Sequence, residues 1–82
     1  MSKWYPPEKE MEVKKRFVEE DLTDLMQALD DKVLQCIYYT IEYKEFVAVK
    51  FMTSYGVYRK EIEVTADSLS AIVIDVVRRS GV

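Results

Sequence analysis

Val33-Leu34-Gln35-Cys36-Ile37-Tyr38-Tyr39-Thr40-Ile41-Glu42-Tyr43 is the stretch on which the fold turns. Aromatic and β-branched residues dominate it, and apolar side chains fall on both odd and even positions, so it reads as a strand. Lys44-Glu45 follows as a tight turn and Phe46-Val47-Ala48-Val49-Lys50-Phe51-Met52 as a second strand. Ser54-Tyr55-Gly56 supplies the next turn, with Gly56 free to take positive φ. A third strand over residues 57–64 alternates at its end, with Ile62 and Val64 to one side and Arg59, Glu61 and Glu63 to the other. Three strands joined by short turns predict an antiparallel meander.

Outward from the strands, both flanks carry helical signals. Upstream, Pro6-Pro7 precedes Glu8-Lys9-Glu10, a proline start with acidic residues in the first turn. Val18, Leu22, Leu25, Met26, Leu29 and Val33 then repeat at helical spacing, with Met11 one to two turns earlier. The expected first helix covers about residues 8–31. An alternative places Met11, Val13 and Phe17 in a strand and starts the helix after a cap at Asp21. Downstream, Thr65-Ala66-Asp67-Ser68 offers N-caps ahead of Leu69, Ile72, Val73 and Val76, Arg78-Arg79 suits a last turn, and Gly81 suits the C′ position. The β-branched run in residues 71–77 is open to a fourth-strand reading, but caps at both ends favour a helix. The expected architecture is a small α+β domain of order α-β-β-β-α over residues 8–82, preceded by a tail at residues 1–7.

Both helices of such a chain pack on one face of the sheet, which leaves the other face to water. Val33, Ile37, Tyr39, Ile41, Val47, Val49, Phe51, Ile62 and Val64 suffice for the covered face. The other parity is expected to be polar, yet it carries Leu34, Cys36, Tyr38 and Thr40, then Phe46, Ala48, Lys50 and Met52. Either the first helix or the Trp4-Tyr5 segment wraps over that face, or another chain covers it. The second reading predicts a protein partner or, most often, a symmetric homodimer through Cys36, Tyr38, Phe46, Ala48 and Met52.

Composition bounds the function. The chain has 82 residues, 49% hydrophobic and 33% charged, which suits one folded domain with a thin core. No apolar run is long enough for a membrane span, the first residues lack an apolar signal core, and one cysteine cannot close an internal disulfide, so cytoplasmic residence is expected. There is no histidine, Cys36 sits mid-strand without a histidine partner, and two glycines cannot build a phosphate loop. No catalytic residue, cofactor site or metal site is expected, and the chain is not read as an enzyme.

Two further partner classes follow from charge. Net charge is −3, with −4 in residues 1–31 and +1 in the remainder. Glu20, Asp21 and Asp24, with Glu19, Asp30 and Asp31 nearby, give a possible acidic partner surface, as in small viral inhibitors that occupy a nucleic-acid channel on a host enzyme. Tyr38, Tyr39, Tyr43, Phe46, Phe51, Tyr55 and Tyr58, interleaved with Lys44, Lys50, Arg59 and Lys60, give a possible stacking platform for single strands. Glu42, Glu45, Glu61 and Glu63 lie among them and disfavour nucleic acid. The element order resembles the double-stranded-RNA-binding domain, which reads phosphates through lysines opening its second helix. The equivalent residues here are Ala66-Asp67-Ser68-Leu69, so the resemblance transfers no RNA contact. The expectation is a non-catalytic protein-interaction module.

Overall fold

A computed structural model describes residues 7–82. The chain runs α1 (Glu8–Arg16), a π-helical segment (Phe17–Leu22), α2 (Thr23–Leu29), β1 (Val33–Ile41), β2 (Lys44–Thr53), β3 (Gly56–Glu63) and α3 (Leu69–Arg79). The strands form one antiparallel sheet in the order β1-β2-β3. This is the α+β architecture expected, with residues 71–77 helical. Trp4-Tyr5 lies outside the described residues.

The helical run from Glu8 opens behind Pro7, which takes an extended backbone there. It buries Lys14, Val18, Leu22 and Met26. Four-residue steps drift around a regular α-helix, and the wider π turn between Phe17 and Leu22 cancels that drift. Thr23 anchors the wide turn, since its backbone N–H and its hydroxyl both donate to the Val18 carbonyl. The phase change leaves Leu25 and Leu29 exposed, although the regular spacing placed them on the core side. Asp30 ends the run in an extended conformation, and its carboxylate accepts from the Lys32 N–H at 2.9 Å.

The β1–β2 turn is Glu42-Tyr43, not Lys44-Glu45, because Ile41 pairs with Lys44. Both turn residues take positive φ (46° and 68°), as a two-residue hairpin loop requires. Glu45 thereby enters the sheet and is completely buried. The β2–β3 turn is closed by Thr53, whose hydroxyl donates to the Gly56 carbonyl at 2.7 Å. Ser68 caps α3, accepting from the Ala71 N–H at 3.2 Å.

Register corrects the expected faces. Cys36 pairs with Val49, Tyr38 with Val47, Ile37 with Ala48 and Tyr39 with Phe46. Even positions of β1 therefore share a face with odd positions of β2. An irregularity between Val33 and Gln35 returns Val33 to that same side. Val33, Cys36, Tyr38, Val47, Val49, Ile62 and Val64 form the core with Val18, Leu22, Met26, Ile72 and Val76. Cys36 and Tyr38 thus lie beneath the helices, opposite Phe46, Ala48 and Met52, and the five do not make one interface.

Candidate functional site

The uncovered face is built by Ile37, Tyr39 and Ile41 of β1, Phe46, Ala48, Lys50 and Met52 of β2, and Val57, Arg59, Glu61 and Glu63 of β3. Tyr39 and Phe46 are cross-strand partners and stack, with centroids 5.4 Å apart and planes 18° from parallel. The Arg59 guanidinium lies 5.4 Å from the Tyr39 ring centre. Arg59 belongs to β3 and Tyr39 to β1, so the arginine crosses β2, and the register places Ala48 under its path. A small residue there lets the side chain pass, and Ala48 has no exposed surface. Arg59 Nε also holds Glu61 Oε2 at 3.0 Å. Burial pushes the Tyr39 hydroxyl above its ordinary range, with Arg59 pulling it down and Glu61 pushing it further up.

Around this packed centre the face is apolar and wet. Ile41 is 53% exposed, Met52 49% and Val57 59%. The charged rim has both signs: Lys44, Lys50 and Arg59 against Glu61 and Glu63. Apolar surface with mixed charge suits a protein partner better than a phosphate backbone. The rings expected to form a stacking platform are dispersed. Tyr39 already has Phe46 and Arg59 against it, Tyr38 is buried, Phe51 packs against Tyr58 on the helix side, and Tyr55 sits in a turn.

Glu20, Asp21 and Asp24 are exposed along the helical run. Lys9 and Arg16 line the same shallow groove as Glu20 and Asp21, and Lys15 binds Glu19 at 2.7 Å, so basic neighbours dilute the acidic field.

A second cluster carried no sequence signal. Lys14 Nζ reaches Glu45 Oε1 at 2.8 Å, the Tyr38 hydroxyl donates to the same oxygen at 2.6 Å, and the Ala66 N–H donates to Oε2 at 2.8 Å. Lys14 is 3% exposed and Glu45 0%. The bond from Ala66 holds that residue at φ 62°, a left-handed conformation costly to an L-residue. Nearby, Asp67 turns Oδ2 inward without a donor. Burial first, then the Asp75 carboxyl, pushes Asp67 up to about 6. A carboxylate offers only acceptors, so the neutral form of Asp67 is the one that brings a donor to this site. Solvent does not reach Glu45, so this cluster ties α1 to the sheet and to the loop before α3 and has no room for a substrate. Cys36 is equally closed, its thiol pushed up to about 11 by burial despite the Thr23 hydroxyl beside it. Among the described residues no cluster of three or more His, Cys, Asp or Glu side chains is placed to hold a metal, and no helix is long and apolar enough to cross a membrane.

Comparison with family models, curated proteins and solved structures finds no match to this chain. The class defined by its own geometry is an α+β domain with helices on one face of a three-stranded sheet and an apolar second face.

Proposed function

We propose that this chain is a non-catalytic protein-interaction module, resident in a reducing cytoplasm, whose open sheet face takes a protein partner. One observation carries the reading: the helices cover a single face, while the other is apolar from Ile41 to Met52 and Val57 and rimmed by charges of both signs. The free, buried Cys36 is compatible with a reducing compartment.

Affinity purification from the source cells, run in three arms, tests it. Wild type is expected to recover a protein partner at fixed stoichiometry. Met52→Glu, which puts a charge on a half-exposed position without touching the core, should lose that partner and keep the fold. Neutralising Glu20, Asp21 and Asp24 together should retain the partner. Loss only in the charge-neutralised protein would support the acidic decoy instead. Micromolar binding of single-stranded oligonucleotides that falls steeply with salt would support the nucleic-acid alternative.

A further inference from the structure

The two edges of the sheet are treated differently. On β1 the outward backbone groups belong to even positions. The Cys36 N–H donates to Thr23 Oγ1 at 2.9 Å, and Gln27 Nε2 donates to the Leu34 carbonyl at 3.0 Å. The helical run therefore closes part of this edge with side chains. On β3 the Val64 N–H points to the Glu45 carbonyl of β2 at 2.8 Å, so by alternation the N–H and C=O of Val57, Arg59, Glu61 and Glu63 point away from the sheet. No described residue bonds those outward backbone groups. The edge is regular, without proline or bulge, and its residues are exposed except Lys60 and Ile62. Such an edge is a template for another strand.

We propose that β3 pairs antiparallel with β3 of a second copy, about a two-fold axis through Lys60, joining two sheets into one of six strands with a continuous open face. The occupant is argued from charge. Antiparallel self-pairing that brings the outward residues into hydrogen-bonded pairs has three central registers. An axis at Arg59 sets Arg59 against itself, and an axis at Glu61 sets Glu61 against itself. An axis at Lys60 sets Arg59 opposite the partner's Glu61 and Glu61 opposite the partner's Arg59, with Val57 opposite the partner's Glu63. Arg59 binds Glu61 along the strand and reaches inward over Tyr39, so on pairing its guanidinium turns outward to the partner's Glu61, and the four charges then alternate about the axis. Edge charges of one sign refuse every register, whereas this alternation refuses the wrong ones and selects one. The unfavourable element is Lys60, which meets the partner's Lys60 on the helix side. The remaining backbone groups form a ladder of about eight hydrogen bonds.

This inference rests on the interaction-module reading for its purpose, and its test separates the two. Sedimentation equilibrium across micromolar concentrations is expected to show a wild-type dimer. Glu61→Arg and Arg59→Glu each turn two attractive pairs into two repulsive ones, so each should raise the dissociation constant about 30-fold. An equimolar mixture of the two variants, and the double variant R59E/E61R, both restore opposite charges and should restore the dimer. Lys60→Thr should tighten it. Met52→Glu should stay dimeric even if it loses its protein partner, so failure of the interaction reading leaves this result untouched. A measurement on unaltered protein stands behind the variants: the amides of Val57, Arg59, Glu61 and Glu63 should gain exchange protection as concentration rises. A wild-type monomer throughout, a dimer broken by Phe46→Glu but not by Glu61→Arg, or a mixture that fails to reassociate would each overturn the proposal.

Discussion

Replacing Lys14 with methionine keeps an unbranched side chain, one atom shorter, and deletes its charge. Glu45, with no exposed surface, would then hold a carboxylate against the Tyr38 hydroxyl and the Ala66 N–H alone among the donors described. Breaking a buried ion pair by removing one partner costs about 3–5 kcal/mol, and two surviving donors put this case near the lower end. A chain of this length has roughly 4–12 kcal/mol of stability in total. The variant is therefore expected to lose about 3 kcal/mol and, at 4–8 °C per kcal/mol, about 12–24 °C in Tm. The double variant Lys14→Met with Glu45→Gln carries no buried charge. The carboxamide placed at position 45 can accept from Ala66 through its oxygen while its nitrogen donates to the Tyr38 oxygen. It should cost only about 1 kcal/mol, a coupling of at least about 2 kcal/mol between the sites. Urea unfolding at neutral pH, followed by circular dichroism and by aromatic fluorescence, measures all four corners of the cycle. A loss under about 1 kcal/mol for Lys14→Met, or a double variant as unstable as the sum of the singles, would refute the reasoning.

Two more outcomes follow from the buried groups. Cys36, beneath the helices with its thiol pushed up to about 11, should resist iodoacetamide at pH 8 in the native protein and react only as denaturant unfolds it, read by mass spectrometry; rapid native labelling would put Cys36 on an open surface. Asp67 is raised in the fold from 3.8 to about 6, so the folded state favours its neutral form. Its contribution is fully present below about pH 4 and is lost as pH rises through about 6. Asp67→Asn should therefore remove a decline in stability between pH 4 and 6 and raise Tm at neutral pH, whereas an unchanged pH profile would show that Asp67 does not titrate in that window.

The order of elements was legible because each carries its own local signal: a proline and acidic start for α1, aromatic and β-branched density in β1 and β2, Ser68 and Gly81 bracketing α3. The faces were less so. Strand parity is a local property, but which parity of β1 meets which of β2 depends on the turn, and Glu42-Tyr43 has none of the glycine or asparagine that marks a loop with positive φ. One clue was available: any two-residue turn pairs an odd position with an even one, which already separates Cys36 from Phe46 and Ala48. The Lys14–Glu45 pair gave no such clue. A charged residue read alone is assigned to solvent, and 31 positions separate the two that meet in the core. The open face survives the correction with Tyr39 and Ile41 in place of Cys36 and Tyr38, because both parities of β1 are apolar.

The π turn has a consequence for length. Its six residues sit between two separate moorings, Lys14 in the core and Thr23 on the edge of β1. Glu19, Glu20 and Asp21 within it do not belong to the core, and almost any side chain is tolerable at Glu20 and Asp21. Deleting Glu20 or Asp21 is tolerable too. The Thr23 N–H then reaches the Val18 carbonyl as an ordinary four-residue bond instead of a five-residue one, so a regular helix results and everything beyond the turn keeps nearly its present phase relative to α1. Thr23 stays against Cys36, and Met26 stays in the core. The stretch is fixed at Val18 and Leu22 but loose at Glu20 and Asp21 in both letter and number, so related chains should vary there and some should lack one residue.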